Sequence, residues 1–398
     1  MQQELFDLIL IRYGEIGLKS KKVRRRLEDL LTNRIQKMLQ RKQIPYEQLK
    51  LFPTRGRLFL YTSDMAKASE ELIKCFGIVS ISPAIQVSSD KQEIREAALK
   101  LAEANFGVNA TFGIKTKRVG QHAFSSRDIS ADVGAFILEK LAERKISVDL
   151  SNPMHAINIE IRDKNAFLFN QTIQGVAGLP YGSQGSLISL FSGGIDSPVA
   201  SWLMMKRGCN IFPLYCDNTP YSTPAAYKRV IKVLEQLFIF SPYKQITFYS
   251  TPHGQTLEQI KEVVPPKLTC IFCKRTMYKV AERLAERLKA KGIVTGENLG
   301  QVASQTLDNL FVLNQATKIP VFRPLIGFDK VETMNLSQKL GLYSSSIMQV
   351  PGCGAVPQYP ETHGTLERIL EIEQEINIDK MIDEELKEIK EIKLPINP

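Results

Sequence analysis

Apolar and polar positions divide this 398-residue chain into two unlike halves. Around the run Leu8-Ile9-Leu10-Ile11, residues 4–12 read as a strand. A basic stretch, Lys21-Lys22-Val23-Arg24-Arg25-Arg26, leads into Leu27, Leu30, Leu31 and Ile35, whose spacing predicts a helix. Strands over 45–52 and 57–62 and a helix over 66–75 follow. That order suggests a small ferredoxin-like unit. From about 78 to 170 the pattern stays mixed, with helical periodicity through 91–105 and 129–145 and strands near 111–117, 155–162 and 166–172.

A glycine-rich connector, Gly175 to Gly185, then interrupts the periodicity. Beyond it strands at 187–191, 211–216, 245–250 and 293–296 alternate with helices at 198–207, 224–238, 274–290 and 301–312. Such alternation predicts a doubly wound parallel sheet, with ligands at the carboxyl ends of its strands. The closing segment, 365–393, reads as one or two amphipathic acidic helices with a packing role only. The expected fold class is α/β. The expected divisions are 1–62 (ferredoxin-like), 63–170 (a second α/β domain), 171–185 (linker) and 186–398 (the parallel-sheet domain).

Charge changes the picture more than composition does. The chain carries +10, yet residues 367–393 hold ten acids and five bases, leaving +15 for the remainder. That surplus suits a polyanionic partner. Its clearest concentrations are Lys21, Lys22, Arg24 and Arg25 at a helix start, and Lys115, Lys117 and Arg118 closing a strand shortly before His122-Ala123-Phe124-Ser125-Ser126-Arg127. Basic residues interleaved with aromatic and hydroxyl side chains suit phosphates and sugars. No apolar stretch approaches the ~20 residues of a membrane span. The opening residues also lack a basic-then-apolar leader, so a cytoplasmic protein is expected. Six cysteines (75, 209, 216, 270, 273 and 353) in such a setting are thiols or ligands rather than disulfides, with Cys75 and Cys209 in apolar core positions.

The most informative chemistry is Ser192-Gly193-Gly194-Ile195-Asp196-Ser197, between a predicted strand and a predicted helix. The glycines admit close backbone approach. The helix start offers free N–H groups and a positive dipole end to an anion. Asp196 beside a phosphate requires an intervening cation such as Mg²⁺. The segment is neither a Walker A loop nor a Rossmann fingerprint. It resembles the PP-loop of ATP pyrophosphatases, which hold ATP by its pyrophosphate end and attach AMP to a substrate oxygen.

Over nearly its whole length the chain resembles the tRNA 4-thiouridine synthetase (tRNA sulfurtransferase, ThiI) family. The pieces are Arg12-Tyr13-Gly14-Glu15-Ile16-x-Leu18-Lys19, Lys117-Arg118 with Phe124-Ser125-Ser126, and Gly178-Leu179-Pro180 before the loop. The run from Thr295 to Thr306 and the run Arg323-Pro324-Leu325-Ile326-Gly327-Phe328-Asp329-Lys330 complete them. The resemblance implies a THUMP RNA-binding domain over 63–170 and a homodimer bound to tRNA. It also implies ATP-dependent conversion of uridine to 4-thiouridine at position eight: adenylation of O4, then sulfur addition and release of AMP. By the same resemblance Asp196 and Lys330 carry adenylation. The ATP pocket would take Leu190, Phe191, Ser192, Gly193, Gly194, Asp196, Ser197, Tyr215, Cys216, Lys274, Arg275, Gly296 and Gln305.

Many relatives carry a C-terminal rhodanese domain for sulfur delivery, and none is expected here. In its place stand Cys270-Ile271-Phe272-Cys273 and Cys353 in Pro351-Gly352-Cys353-Gly354. Three readings are open. Cys270, Cys273 and Cys353 hold an iron–sulfur cluster, as in the family members they resemble; Cys353 carries a persulfide that the pair resolves; or the three bind zinc with His363. The sulfur itself would come from a cysteine desulfurase persulfide or from inorganic sulfide. Two alternative functions stand beside this one: an RNA-binding protein with a nucleotide-switch domain, and sulfur transfer to a carrier protein for thiamine thiazole synthesis.

Overall fold

The computed structural model describes residues 5–51 and 56–396. The ends of the strands expected over 4–12 and 45–52 therefore lie outside the described residues. The chain forms two compact units, residues 1–179 and 180–398.

The first unit opens with β1 (Leu8–Tyr13), α1 (Lys21–Arg41), β2 (Gln48–Leu51), β3 (Arg57–Tyr61), α2 (Met65–Leu72) and β4 (Ile78–Ser88). The strand order β2-β3-β1-β4, antiparallel throughout, is the ferredoxin-like arrangement. Residue 62 thus falls inside this unit, between β3 and α2. The helical spacing of Leu27, Leu31, Ile35 and Met38 places them on the buried face of α1, against Ile9, Ile11, Leu58 and Leu60. No strand is predicted over 78–88, because β4 is buried through most of its length and shows no alternation.

After β4 come α3 (Lys91–Asn105), β5 (Thr111–Val119), α4 (Ser126–Lys140), β6 (Ser147–Val148), β7 (His155–Arg162), β8 (Asn165–Phe169) and β9 (Ile173–Gln174). Strand β4 pairs β1 with its first half and β8 with its second, so one sheet runs through both α/β parts. Asp90 caps α3, and Ser125 with Asp128 forms a reciprocal capping box that starts α4 at 126 rather than at 129. In that cap the Ser125 hydroxyl accepts from the Asp128 N–H.

Where the two sheet halves face each other, Phe59 stacks on Phe167 with centroids 4.6 Å apart. Beside them the buried Glu160 carboxylate binds Arg12, Arg57 and Arg162 at 3.2, 3.0 and 3.3 Å. Burial alone would push its pKa up, but the guanidiniums overcome this and bring it down to about 2, from 4.5. A depressed carboxylate pKa gives stability that is complete above the unfolded value and is lost as pH falls towards the folded one. Glu160→Gln should therefore destabilise this unit by about 3–5 kcal/mol at neutral pH, since three cations lose their counter-charge. The gap between wild type and variant should close as the pH drops from 4.5 towards 2. Urea titrations across that window check both points; a pH-independent difference would show that charge compensation is not the cause.

The second unit contains β10 (Ser186–Leu190), α5 (Asp196–Lys206), β11 (Asn210–Cys216), α6 (Pro224–Leu237), β12 (Gln245–Thr251), α7 (His253–Val263), α8 (Thr269–Leu288) and β13 (Ile293–Val294). It closes with α9 (Leu307–Asn314), β14 (Val321–Phe322), α10 (Lys330–Lys339), α11 (Tyr343–Ser346), α12 (Leu366–Glu375), α13 (Ile378–Lys387) and β15 (Lys390–Pro395). The sheet order is β14-β13-β10-β11-β12-β15, parallel except for the antiparallel edge strand β15. The doubly wound expectation holds, and β10 and β11 sit centrally with their carboxyl ends adjacent.

Three local readings change. The helix expected over 301–312 begins only at 307, where the Thr306 side chain caps it. Helix α8 starts at 269, which brings both Cys270 and Cys273 onto its first turns. The acidic closing segment is more than two packing helices: it supplies strand β15 and sends Glu373 and Glu385 inward. Among the described residues no helix is long and apolar enough to cross a membrane.

Candidate functional site

The Ser-Gly-Gly loop lies at the carboxyl end of β10 and opens directly into α5. Gly193 has φ +69°, and a Cβ there would come within 3.0 Å of the Val230 backbone. Only glycine serves both conditions. The Ser197 hydroxyl accepts the Ser192 backbone N–H at 3.2 Å, which closes the loop on itself. Underneath, Ser189 and Ser201 hydrogen-bond at 2.8 Å and tie β10 to α5. The N-cap residue of α5, Ile195, has no side chain that could cap its first turn, so the amides there are open to an anion.

Gly296, at the end of β13, presses on that same turn: a Cβ would sit 2.6 Å from the Ser197 nitrogen. Across the opening, Lys330 begins α10, whose Asp329–Glu332 capping box fixes the helix start. Its ammonium meets Asp196 at 3.0 and 3.2 Å, and Gln301 donates to the same carboxylate at 3.3 Å. Folding thus joins two residues 134 positions apart.

Two cavities flank the loop and share Leu190, Ser192 and Met277. One, about 220 Å³, is lined by Asp196, Ser197, Lys274, Gly296 and Gln305. The other, about 400 Å³, is lined by Phe191, Tyr215 and Cys216 and extends to Cys353. Every expected pocket residue except Arg275 lies in a cavity wall or on the loop itself. The exception is plain. The Arg275 guanidinium is buried, binds Glu373 at 2.8 and 2.9 Å, and donates to the Val312 carbonyl. Successive helix residues point about 100° apart, so Lys274 can face the cavity only if Arg275 turns into the core.

Lys274 reaches Glu297 at 3.2 Å, and Glu297 also accepts from Arg323 at 2.8 Å and from Thr295 and Tyr278. Burial pushes the Glu297 carboxyl up, but Lys274 and Arg323 outweigh it and hold the group below its ordinary range. Burial and the neighbouring Glu297 push the Tyr278 phenol well up. The larger cavity holds further polar groups that sequence motifs do not reveal: Asn218, Ser222 and Arg229. The Asn218 Oδ1, Arg229 Nε and Gln305 Oε1 atoms are buried without a partner among the described residues. Buried polar atoms that wait on a partner at a cavity wall fit a polar ligand such as a nucleotide.

The three cysteines lie close to one another, and Cys353 lines the larger cavity. Cys273 and Cys353 share a small apolar cluster with Leu257 and Ala355. Burial, together with the Cys273 and Cys353 sulfurs, pushes the Cys270 thiol up to about 11. The Asn218 amide faces the Cys353 sulfur at 3.8 Å, and Gly354 N–H donates to the Tyr221 carbonyl, anchoring the loop. His363 is exposed, and its Nδ1 pairs with Asp308 at 2.8 Å, which leaves Nε2 as its one open nitrogen. Cys75 and Cys209 are buried as expected.

A motif-free group lies behind Cys273. Cys216, His253 and Glu385 bring their potential ligand atoms within 4.8 Å of one another. Burial lowers the His253 pKa, but Glu385 and the Cys273 sulfur raise it further, to about 10. Burial keeps the Cys216 thiol far above its ordinary value.

The basic residues fall into distinct places. Lys21, Lys22 and Arg25 are exposed at the start of α1, and Arg24 faces Glu28 at 3.6 Å. On β5, Lys115 and Lys117 are exposed, beyond the stretch of Phe112 and Ile114 that packs under α4. Arg118 turns to His122, and Arg127 is exposed on α4.

Against known proteins, three family models match in sequence: the ThiI ferredoxin-like domain over residues 8–82, the THUMP domain over 88–170 and the thiamine biosynthesis protein (ThiI) over 182–378. A "Probable tRNA sulfurtransferase" of Methanobrevibacter smithii is 38% identical across 95% of this chain and 98% of its own. A protein of the same name from Caldanaerobacter subterraneus subsp. tengcongensis is 38% identical, over 97% and 100%. A crystal structure of a 4-thiouridine synthetase–RNA complex with bound ATP superposes with TM-score 0.86 at 30% identity, covering 98% of this chain and all of that one.

Proposed function

Belonging to the tRNA sulfurtransferase (ThiI) family, this enzyme transfers sulfur to tRNA with ATP, and we propose that it makes 4-thiouridine at position eight by first adenylating uridine O4. The observation that carries the proposal is the Asp196–Lys330 pair poised over the Ser-Gly-Gly loop, beside a cavity that runs on to Cys353.

Uridine O4 is a poor leaving group until it bears a phosphoryl substituent. Its attack on the α-phosphate of ATP expels pyrophosphate. Sulfur then adds at C4, and AMP departs with the former O4. The first step needs alignment and charge neutralisation more than covalent help. The α5 amides and the Ser192 and Ser197 hydroxyls hold the pyrophosphate end. Lys330 meets the negative charge that develops on the phosphoryl oxygens. Lys274, steadied by Glu297, lines the same cavity. Asp196 offers the carboxylate that would hold Mg²⁺, which would neutralise phosphate charge when bound.

For sulfur, the donor set suits an iron–sulfur cluster: three neighbouring thiols, one of them in the wall of the larger cavity. Cys270, Cys273 and Cys353 would hold it, and when bound it would supply an iron without a protein ligand, open to sulfide. A persulfide on Cys353 is the second reading, favoured by that residue's place in the cavity wall. Inorganic sulfide or a desulfurase persulfide would feed either route. The name of the matched family supports a part in thiamine biosynthesis, and sulfur transfer to a carrier protein is the form of it that we propose as a further use.

For tRNA, the start of α1 is informative. Lys21, Lys22, Arg24 and Arg25 crowd its positive dipole end, with no acid in the first turn. That placement costs stability unless a polyanion relieves it. Reversing Lys115, Lys117 and Arg118 to glutamate should weaken tRNA binding and lower its salt slope by roughly one for each phosphate no longer neutralised. Unaltered affinity would move the RNA surface elsewhere. The assembly we infer is a homodimer.

Unmodified tRNA incubated with the enzyme, ATP and a sulfide source, then digested and analysed by nucleoside mass spectrometry, tests the product. The expected result is 4-thiouridine confined to position eight. Sulfur at another uridine or another ring position would refute the assignment.

A further inference from the structure

Among the three cysteines, Cys273 has a neighbour built for it. His253 opens α7 and is wholly buried. Its Nε2 lies 3.5 Å from the Cys273 sulfur. Its Nδ1 faces Glu385 on α13, 3.0 Å from Oε2 and 3.2 Å from Oε1. The Thr256 hydroxyl donates to the same carboxylate at 2.7 Å. A carboxylate only accepts, so Nδ1 carries a hydrogen towards it and the ring plane is fixed. Nε2 is left with the sulfur as its partner, and a ring held between a carboxylate and a ligating thiolate carries a second hydrogen there, which it donates to the sulfur.

A metal ion among Cys216, His253 and Glu385 is the competing reading of this group. It fits poorly, because the Glu385 oxygens are already engaged by His253 and Thr256. The alternative is mechanical and electronic support of a ligand. Groups that hydrogen-bond a metal ligand fix its orientation, and hydrogen bonds to cluster sulfurs raise the reduction potential.

Resting on the three-cysteine reading above, we propose that His253, oriented by Glu385 and Thr256, is a positioning residue that hydrogen-bonds the Cys273 sulfur and thereby secures the cluster and raises its potential. The chain commits a buried glutamate from its acidic end to this task, which gives α13 a role beyond packing. His253 touches no substrate and transfers nothing; it acts through Cys273.

The test compares anaerobically reconstituted full-length wild type with His253→Leu, His253→Gln and Glu385→Gln, each checked for folding by thermal melting. The readouts are the rate of iron loss to EDTA and the midpoint potential from an EPR-monitored redox titration. His253→Leu should lose iron about tenfold faster and titrate at a lower potential. His253→Gln, whose amide can still donate to sulfur, should recover much of both, and Glu385→Gln should fall between. A lower melting temperature with unchanged iron loss and potential would make His253 merely structural and overturn the proposal. Should His253→Leu fail to fold, Glu385→Gln matching wild type in both readouts would overturn it equally. Wild-type protein that retains no iron would overturn the three-cysteine reading and this proposal together, whereas a stable wild-type cluster indifferent to His253 would overturn this proposal alone.

Discussion

Cys353→Ser should abolish 4-thiouridine, lowering its formation by on the order of 10³-fold or more, as loss of an essential sulfur group does. Pyrophosphate release with tRNA and ATP should persist in the same variant. The two outcomes separate because the site is divided. Cys353 closes the larger cavity, while Asp196, Ser197 and Gly296 line the smaller one. Only Leu190, Ser192 and Met277 belong to both, and none of them carries a thiol that could replace Cys353. Removing the sulfur therefore leaves the adenylation machinery in place. Thiolation at the wild-type rate would remove Cys353 from the mechanism.

Lys330→Ala should show the converse, with tRNA-dependent pyrophosphate release down by about 10²–10³-fold, the usual loss when one preorganised charge is withdrawn. Asp196→Ala should behave similarly, because the carboxylate both places the ammonium and offers the metal ligand. The two meet at 3.0 Å, so the double variant should lose little more than either single one. Affinity for tRNA should hardly change in any of the three. Full additivity, or intact pyrophosphate release in Lys330→Ala, would separate the pair and assign the developing charge to another cation, with Lys274 and Arg229 next in position.

Much of this is legible without coordinates, for reasons that differ from residue to residue. Ser192 to Ser197 can be read because strand, glycine turn and helix start are all local, and the chemistry follows from backbone geometry. Lys330, Gly296 and Cys353 become visible only through family resemblance, since nothing in the local pattern says they will meet Asp196 or the loop. Arg229, Asn218 and Glu385 escape such a reading. Each reaches the site from a helix or turn with no motif of its own, and burial of a charged side chain against a distant partner leaves no periodic trace. The Arg275 assignment fails for a related reason: adjacency to Lys274 in sequence means divergent directions on a helix. Strand β4 escapes prediction because it is buried through most of its length, and β15 because an acidic, helix-rich context conceals a short edge strand.

The fate of the nucleotide is the most direct trial of the adenylation route. Enzyme, unmodified tRNA and α-³²P-labelled ATP, without a sulfur source, should yield pyrophosphate and a label bound to tRNA. Adding sulfide should then discharge that label as AMP in step with 4-thiouridine. Formation of ADP and phosphate, or of AMP independent of tRNA, would contradict it.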